Sequence, residues 1–240
     1  HPSDPQIIFA ATNLGLFRSA NSGDTWTEIL ANETMTVSFK PNEPSIVSAI
    51  QFEPSLGYSR FYKSTDTGLS FSLRDSGWFA EQPGFTNVNN EGGRLAVTEA
   101  DPNRIYAMLL GYGTYSAGAE TNGWIGIWVS DDAGETWSFP HGGIGTPYSD
   151  NHPNLMNFSA DDGTYTQIFY NSTIAASQLD ADKVLIGGLN LWVSTDGCAT
   201  YDGVAGYIGG LPRFHVDQQE IRIFKTSETT EEVWISNDGG

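Results

Sequence analysis

The C-terminal part of the sequence contains a His-x-Asp pair that could carry chemistry. His215 and Asp217 are two residues apart, so in an extended strand their side chains lie on one face, together with Gln219. A histidine beside a carboxylate can bind a metal, transfer protons in acid/base catalysis or close a hydrogen-bond network. We favour the network, followed by contact with a ligand, and keep the pair as the weak candidate for a catalytic site.

Metal-ligand signals are sparse. Asp161 and Asp162, followed by Gly163, offer carboxylate oxygens of the kind that calcium binds, although their spacing is not that of an EF-hand. The single Cys198 excludes an internal disulfide, and no Cys/His cluster has the spacing of a structural zinc site. We therefore predict no cofactor, with calcium as the one metal that the acidic pair suits.

Three long stretches between predicted strands carry aromatic, histidine and arginine side chains. They cover residues 75–94, 111–124 and 138–170. Loops of this length in a compact domain are usually functional, and aromatic rings stack on the faces of sugars. The candidate ligand-binding residues in these stretches are Trp78, Arg94, Tyr112, Tyr115, Trp124, His141 and Tyr148.

The composition excludes two classes of partner. The chain has 240 residues, with 29 acidic and 11 basic side chains and a formal charge of −18. Such a surface repels nucleic acid and anionic lipid headgroups, and no apolar run is long enough to span a bilayer. Few lysines, one cysteine and abundant Asn, Thr, Ser and Gly fit an exported protein. We expect an extracellular or cell-surface location, in a bacterium.

An eight-residue pattern, called the box below, recurs along the chain. It consists of Ser, any residue, Asp or Asn, any residue, Gly, any residue, Thr or Ser, and an aromatic residue. The Asx side chain and the glycine suit a tight turn, and the aromatic residue should point into the core. Gly197 and Cys198 depart from the pattern in the fourth copy, which predicts a shifted turn there. The box residues are Ser19, Asn21, Gly23 and Trp26; Ser64, Asp66, Gly68 and Phe71; Ser130, Asp132, Gly134 and Trp137; Ser194, Asp196 and Tyr201; and Ser236 and Asp238 of a shorter fifth copy.

Each box follows a short strand rich in aromatic and β-branched residues, and a second strand introduced by a turn lies further upstream. No window has convincing helical periodicity with caps. The shortest distances between boxes match a four-stranded blade of about 40 to 50 residues. The sequence therefore predicts an all-β repeat protein.

The box resembles the Asp-box, or BNR, repeat of sialidases, sortilin-type receptors, xyloglucanase-type glycoside hydrolases and photosystem assembly factors. The resemblance covers the whole chain and implies a β-propeller of four-stranded antiparallel blades joined by Asp-box hairpin turns. We expect residues 1–240 to form one propeller domain that is part of a longer chain, with further strands closing the ring. The expected blades are residues 1–39, 40–97, 98–176, 177–214 and 215–240.

Within this resemblance, residues 89–130 look closest to a blade of the xyloglucanase-type hydrolases, which use two catalytic Asp residues on separate propellers. One of these lies in a Thr-Asp-Val-Gly-Gly stretch before a Tyr-Arg pair, and the matching stretch here is Thr12 to Arg18. Asn13 therefore stands where the carboxylate would be, and an amide cannot transfer the proton. Asn13 remains a candidate ligand contact or a plain turn residue.

Three functions follow from these observations. The favoured one is a propeller module without proven catalysis that binds carbohydrate or an extracellular protein, attached to further domains of the same polypeptide. The second is a glycoside hydrolase acting on a β-glucan or xyloglucan-like polysaccharide. The third is a sortilin-like or assembly-factor-like scaffold that binds peptide.

Overall fold

The computed structural model of the chain consists of strands and turns, and no helix occurs among the residues that it describes. The described residues are 1–78, 85–115, 123–140, 154–157, 167–168, 170–207, 211–212, 215 and 217–239, with the side chains of 85–91 and 112–115 left out. Within these ranges, nothing resembles a helix of the length and apolarity that a membrane span requires.

The described strands form five antiparallel sheets in which the strands follow the order of the chain. The first sheet contains β1 (Ile8–Ala11), β2 (Gly15–Ser19) and β3 (Thr27–Ala31), and the second contains β4 (Thr34–Phe39), β5 (Val47–Glu53), β6 (Tyr58–Ser64) and β7 (Ser72–Leu73). The third contains β8 (Phe85–Val97), β9 (Ile105–Tyr115) and β10 (Gly123–Ser130). The fourth contains β11 (Thr173–Ala176), β12 (Val184–Gly187), β13 (Leu191–Ser194) and β14 (Asp202–Ala205), and the fifth contains β15 (Gln218–Lys225) and β16 (Glu231–Asn237).

The sheets are arranged as blades of a β-propeller around a channel. Strands β4, β8, β11 and β15 all contribute side chains to one cavity of about 460 Å³, so the first strand of each of these four sheets faces the channel. Successive strands of each sheet run outward from it in a meander. The predicted all-β propeller of antiparallel blades is therefore confirmed at the level of fold class.

The core lies between neighbouring sheets. Strand β9 is continuously apolar because it contributes to the core on both of its faces. Ile105, Ala107 and Leu109 pack in one cluster with Ile50 and Phe61 of the second sheet. The alternate residues of β9 pack in another cluster with side chains of the fourth sheet. Because side chains alternate across a strand, a strand buried on both faces has no polar face to expose.

The box turns are closed by one set of side-chain hydrogen bonds, seen clearly in the third copy. The Ser130 hydroxyl donates to Asp132 Oδ1 at 2.8 Å and accepts the backbone N–H of Gly134 at 2.8 Å. Asp132 accepts the backbone N–H and the hydroxyl of Thr136 at 2.9 and 2.6 Å. Equivalent contacts occur around Ser19 and Asn21, around Ser64 and Asp66, and around Ser194 and Asp196.

The fourth box is not shifted, contrary to the expectation from Gly197 and Cys198. The Cys198 N–H donates to Ser194 Oγ at 2.8 Å, as Gly134 does to Ser130 in the third box. Two consecutive residues with positive φ occur in each of these turns, and in the fourth they are Gly197 at 69° and Cys198 at 72°. Cysteine therefore occupies the glycine position without changing the turn.

The aromatic residues of the boxes do not all point into the core. Trp137 and Tyr201 are buried, with 5% and 8% of their surface exposed, whereas Phe71 is half-buried and Trp26 is 43% exposed. Trp137 is covered by Phe61 of the second sheet and by Trp78 of the segment that follows that sheet. Trp26 belongs to the first sheet, and no sheet precedes it in the described part of the chain.

Two ends of the propeller can be distinguished. Box turns bond to the turns that join first and second strands: Thr67 N–H donates to Ser45 O, Ala133 N–H to Asn103 O and Gly197 N–H to Asp182 O. We call this end the box end. The opposite end, where second strands turn into third strands, is called the mouth end below. In the three-stranded first sheet the box joins β2 to β3, so the β1–β2 turn lies at the mouth end.

The sheets are offset from the predicted repeat boundaries. Strands β4, β8 and β11 pair with the strands that follow them, although the boundaries after residues 39, 97 and 176 assign them to the preceding repeat. The fifth repeat also differs, because β15 lines the channel as a first strand and the β15–β16 turn lies beside Glu99 and Gln178 at the box end. The fifth copy of the box thus reaches the mouth end, where Ser236 pairs with Glu220 in the ladder.

A cation crosses each seam between successive sheets. Arg18 Nε donates to Thr67 O at 3.0 Å, and Lys63 Nζ pairs with Glu135 Oε1 at 2.8 Å. Arg104 Nη1 pairs with Asp182 Oδ1 at 2.9 Å, and Lys183 Nζ pairs with Glu231 Oε1 at 3.2 Å. In every case the cation belongs to the earlier sheet and the acceptor to the next one.

Candidate functional site

A cavity of about 250 Å³ lies at the mouth end of the channel, and we call it the mouth cavity. Its polar walls come from three neighbouring sheets, and its apolar walls come from Met35, Leu110 and Ile168. Two of the ligand-binding residues predicted from the sequence, Asn13 and Arg94, line it together. The polar lining side chains are Thr12, Asn13, Glu33, Thr34 and Arg94.

Asn13 lies at the tip of the turn between β1 and β2. The Thr12 hydroxyl fixes this turn, because its oxygen accepts the N–H groups of Leu14 and Gly15 at 3.1 Å each and it donates to Gly15 O at 2.9 Å. A side chain at Gly15 would overlap the Leu30 carbonyl, so the turn requires glycine there. The turn leaves the Asn13 amide exposed at the edge of the cavity.

Glu33 is a site residue that the sequence reasoning did not identify. It lies between β3 and β4, and its carbonyl oxygen accepts the Phe52 N–H at 2.8 Å while the Thr34 N–H donates to Thr12 O at 2.9 Å. These bonds hold the β1–β2 and β3–β4 connections together. Glu33 belongs to no motif, and the one available signal was its position directly before a strand.

Arg94 lies where the mouth cavity meets the channel, since it lines both. Its Nε donates to Ser172 O at 3.2 Å and one terminal nitrogen donates to Gly93 O at 3.0 Å. Burial lowers the pKa of Arg94, and the nearby charge of Glu220 acts in the opposite direction. An arginine retains its charge under such conditions, so a fixed cation with nitrogen donors faces the cavity.

The mouth cavity can bind a hydroxyl-rich group but offers little for acid/base catalysis. Arg94 donates hydrogen bonds, Glu33 accepts them, and Asn13 does both, which suits the adjacent hydroxyls of a sugar ring. The volume equals that of about eight waters. Glycoside hydrolysis by the usual mechanism requires two carboxyl groups across the bond, and Glu33 is the one carboxylate among the described residues lining this cavity.

Two predicted aromatic contacts are core residues instead. Trp78 is fully buried, donates from Nε1 to Ser59 O at 2.8 Å and packs against Trp137. Trp124 is also fully buried, within the cluster between the third and fourth sheets. The sequence placed both in long loops, but their ring area stabilises the seams rather than reaching a ligand.

Other predicted residues have no described side chain. Tyr112 and Tyr115 lie on β9, whose backbone is described at these positions. His141, Tyr148, Asp161 and Asp162 lie outside the described residues. Within the described ranges, no group of three His, Cys, Asp or Glu side chains is placed to hold a metal ion.

His215 and Asp217 lie at the mouth end but face different partners. Asp217 has a φ of 62°, so strand alternation does not apply to it, and its Oδ1 accepts the Asn171 amide at 2.6 Å. His215 Nδ1 lies 3.4 Å from Asp238 Oδ1, and the Tyr170 hydroxyl donates to Asp238 Oδ2 at 3.2 Å. The histidine is thus joined to Asp238 of the fifth box copy.

Comparisons with known proteins show the fold. No family model matches the sequence, and no curated protein matches it. The chain is similar to an ancestral GH74 enzyme, at 17% identity and a TM-score of 0.55, over 86% of this chain and 23% of the other. It is also similar to the GH74 xyloglucanase from Xanthomonas campestris, at 17% identity and a TM-score of 0.57, over 93% of this chain and 30% of the other. The chain therefore spans less than a third of either enzyme.

Proposed function

We propose that this chain is an Asp-box, or BNR, β-propeller module of a secreted protein, and that it binds carbohydrate in the mouth cavity. The four box turns with their shared hydrogen bonds support the family assignment. The acidic, lysine-poor composition supports the extracellular location. Further blades and domains of a longer polypeptide are part of the same proposal.

The observation that carries the binding proposal is the convergence of Asn13, Glu33 and Arg94 on one cavity. They come from three sheets and are fixed by backbone hydrogen bonds, so the cavity needs little reordering when a ligand enters. Arg94 brings donors, Glu33 brings acceptors and Asn13 brings both, and apolar side chains also line the cavity. Sugar rings have this same combination of hydroxyl edges and apolar faces.

Binding is favoured over hydrolysis because Glu33 is the sole described carboxylate in the cavity. Asn13, at the position matched to a catalytic Asp by resemblance, cannot act as an acid or a base. Glu33 nevertheless keeps hydrolysis as the second candidate, since it is a carboxylate at the cavity.

Direct titration of the purified protein with a panel of plant and microbial oligosaccharides tests the proposal. We expect the exchanges Asn13→Ala and Glu33→Gln each to weaken binding about three- to tenfold, because each removes a hydrogen bond at the rim of the cavity. Asn103→Ala is the matched control, since Asn103 is an exposed asparagine at the box end. Affinity that is equal in all three variants would contradict the assignment of the cavity.

The same samples separate the alternative functions. A reducing-sugar assay should detect no released chain ends from polysaccharides that bind. Release that disappears in the Glu33→Gln variant would establish a hydrolase instead. Binding of peptides without any glycan would favour the scaffold function.

A further inference from the structure

We propose that the glycan site continues from the mouth cavity across the ring of Tyr170, so that the protein binds a polymer chain rather than a single sugar. This inference rests on the function proposed above. It assigns a role to Tyr170, Asp238 and His215, which together we call the Tyr170 platform.

Tyr170 lies directly beside the mouth cavity along the chain. Ile168 forms part of the cavity wall, and Tyr170 follows two residues later. Two residues of extended chain span at most about 7 Å, so the backbone of Tyr170 lies within about that distance of the backbone of Ile168. Tyr170 is 56% exposed, so a large part of its aromatic side chain faces solvent.

Tyr170 is held by one hydrogen bond at its backbone and one at its hydroxyl. Its backbone N–H donates to Gln167 O at 2.8 Å, and its hydroxyl donates to Asp238 Oδ2 at 3.2 Å. The next residue, Asn171, is buried and donates its side-chain amide to Asp217 Oδ1 at 2.6 Å, which ties this segment to the start of β15. A ring fixed in this way loses little conformational freedom when a sugar stacks on it.

The groups around the ring suit the hydroxyls of a stacked sugar. The side chains of Asp238 and His215 are 35% and 49% exposed, so both reach solvent beside the ring. A carboxylate accepts hydrogen bonds from two hydroxyls, and the apolar C–H face of a pyranose packs on an aromatic ring. An apolar face with a polar edge is thus repeated next to the cavity, as a chain of sugar units requires.

The test is calorimetric titration with β-1,4-gluco-oligosaccharides of two to six residues, in the wild-type protein and in the Tyr170→Ala, Tyr170→Phe, Glu33→Gln and Trp26→Ala variants. Trp26 is the control, because it is an exposed aromatic residue at the box end. We expect wild-type affinity to rise with length, and Tyr170→Ala to lose about three- to tenfold for the hexasaccharide and less than twofold for the disaccharide. Tyr170→Phe keeps the ring and should retain most of the gain with length.

The outcomes distinguish this inference from the function on which it rests. Unchanged length dependence in Tyr170→Ala, with all lengths weakened in Glu33→Gln, would overturn the Tyr170 platform and leave the cavity as the site. An equal loss in Trp26→Ala would also overturn it, because the effect would then not be local. Failure of the wild-type protein to bind any length would overturn the proposed function and this inference together.

Discussion

Replacing Gly134 by alanine should destabilise the protein more than the same change at the equivalent glycine of the first box. Gly134 has a φ of 84°, and a Cβ added there would overlap the ring of Phe61, which is fully buried. Gly23 has a φ of 95°, but its added Cβ would lie 3.7 Å from the nearest atom of Trp26, an ordinary contact. Both positions require a positive φ, but only at Gly23 is there room for a Cβ.

The expected size of the effect follows from these two terms. An alanine in the left-handed region costs roughly 1–2 kcal/mol. Overlap with a buried ring that must shift adds roughly 1–3 kcal/mol. We therefore expect Gly134→Ala to lower the free energy of unfolding by about 2–5 kcal/mol and Gly23→Ala by about 1–2 kcal/mol.

Thermal unfolding monitored by circular dichroism measures the difference. For a domain of this size 1 kcal/mol corresponds to about 2–4 °C, so Gly134→Ala should lower the midpoint by at least about 4 °C. Cys198→Ala is the matched control, because the fourth box already holds a side chain at this position with a φ of 72°. It should cost about 1 kcal/mol, for the loss of a buried sulfur.

A double-mutant cycle with Phe61→Leu identifies the cause. If the Phe61 ring is what resists the new Cβ, Gly134→Ala should cost less in the Phe61→Leu background than in the wild type. Strictly additive effects, or a Gly134→Ala midpoint no lower than that of Gly23→Ala, would refute the reasoning.

Further predictions concern the box turns and the fifth sheet. Ser130→Ala should lower the unfolding free energy in urea by about 1–3 kcal/mol, because it leaves a buried N–H without its acceptor; an unchanged urea midpoint would contradict this. Ser70→Ala should raise the pKa of the Asp66 carboxyl from about 2 toward 3.8 in an NMR titration, since the Ser70 hydroxyl is the main cause of the lowered value. The pKa of Asp66 is lower in the folded state than in the unfolded state. The ionised Asp66 carboxylate therefore stabilises the fold fully above about pH 4, and this stabilisation is lost as the pH falls toward 2. Asp66→Asn should remove this part of the dependence of unfolding free energy on pH. Glu231 accepts hydrogen bonds from Ser177, Gln178 and Lys183 of the fourth sheet. Glu231→Gln should therefore speed amide hydrogen exchange in β15 and β16 and leave exchange in β9 unchanged. Equal acceleration in β9 would contradict this, because the effect would then not be confined to the contact between the fourth and fifth sheets.

The fold could be predicted from the sequence because its signals are local. A box needs residues within an eight-residue window, so its turn is visible without knowing what it packs against. The strand order around Ser236 could not be predicted in this way, because the same short strand pattern precedes a box turn and also forms β16 beside the channel strand β15. The packing of β15 against β11 and β12 of the fourth sheet decides between the two, and these strands are distant from it in sequence.

The site could be predicted only in part. Asn13 and Arg94 were identified, from resemblance and from loop position, and they do line one cavity. Glu33 was missed because the cavity joins three sheets that are far apart in sequence. Trp78 and Trp124 were misjudged because long stretches between strands resemble exposed loops, whereas both rings fill the space between sheets.

The cations that cross the seams also specify which sheets are neighbours. Lys63 pairs with Glu135, which is the sixth residue of the third box. The sixth residues of the second and fourth boxes are Leu69 and Ala199, which carry no charge. A copy of the second sheet placed before the second or the fourth sheet would therefore leave its lysine without that carboxylate, while the backbone of the turn would still fit. The shared turns give the blades a common shape, and at three of the four described seams a cation–carboxylate pair makes the contact depend on which two sheets meet.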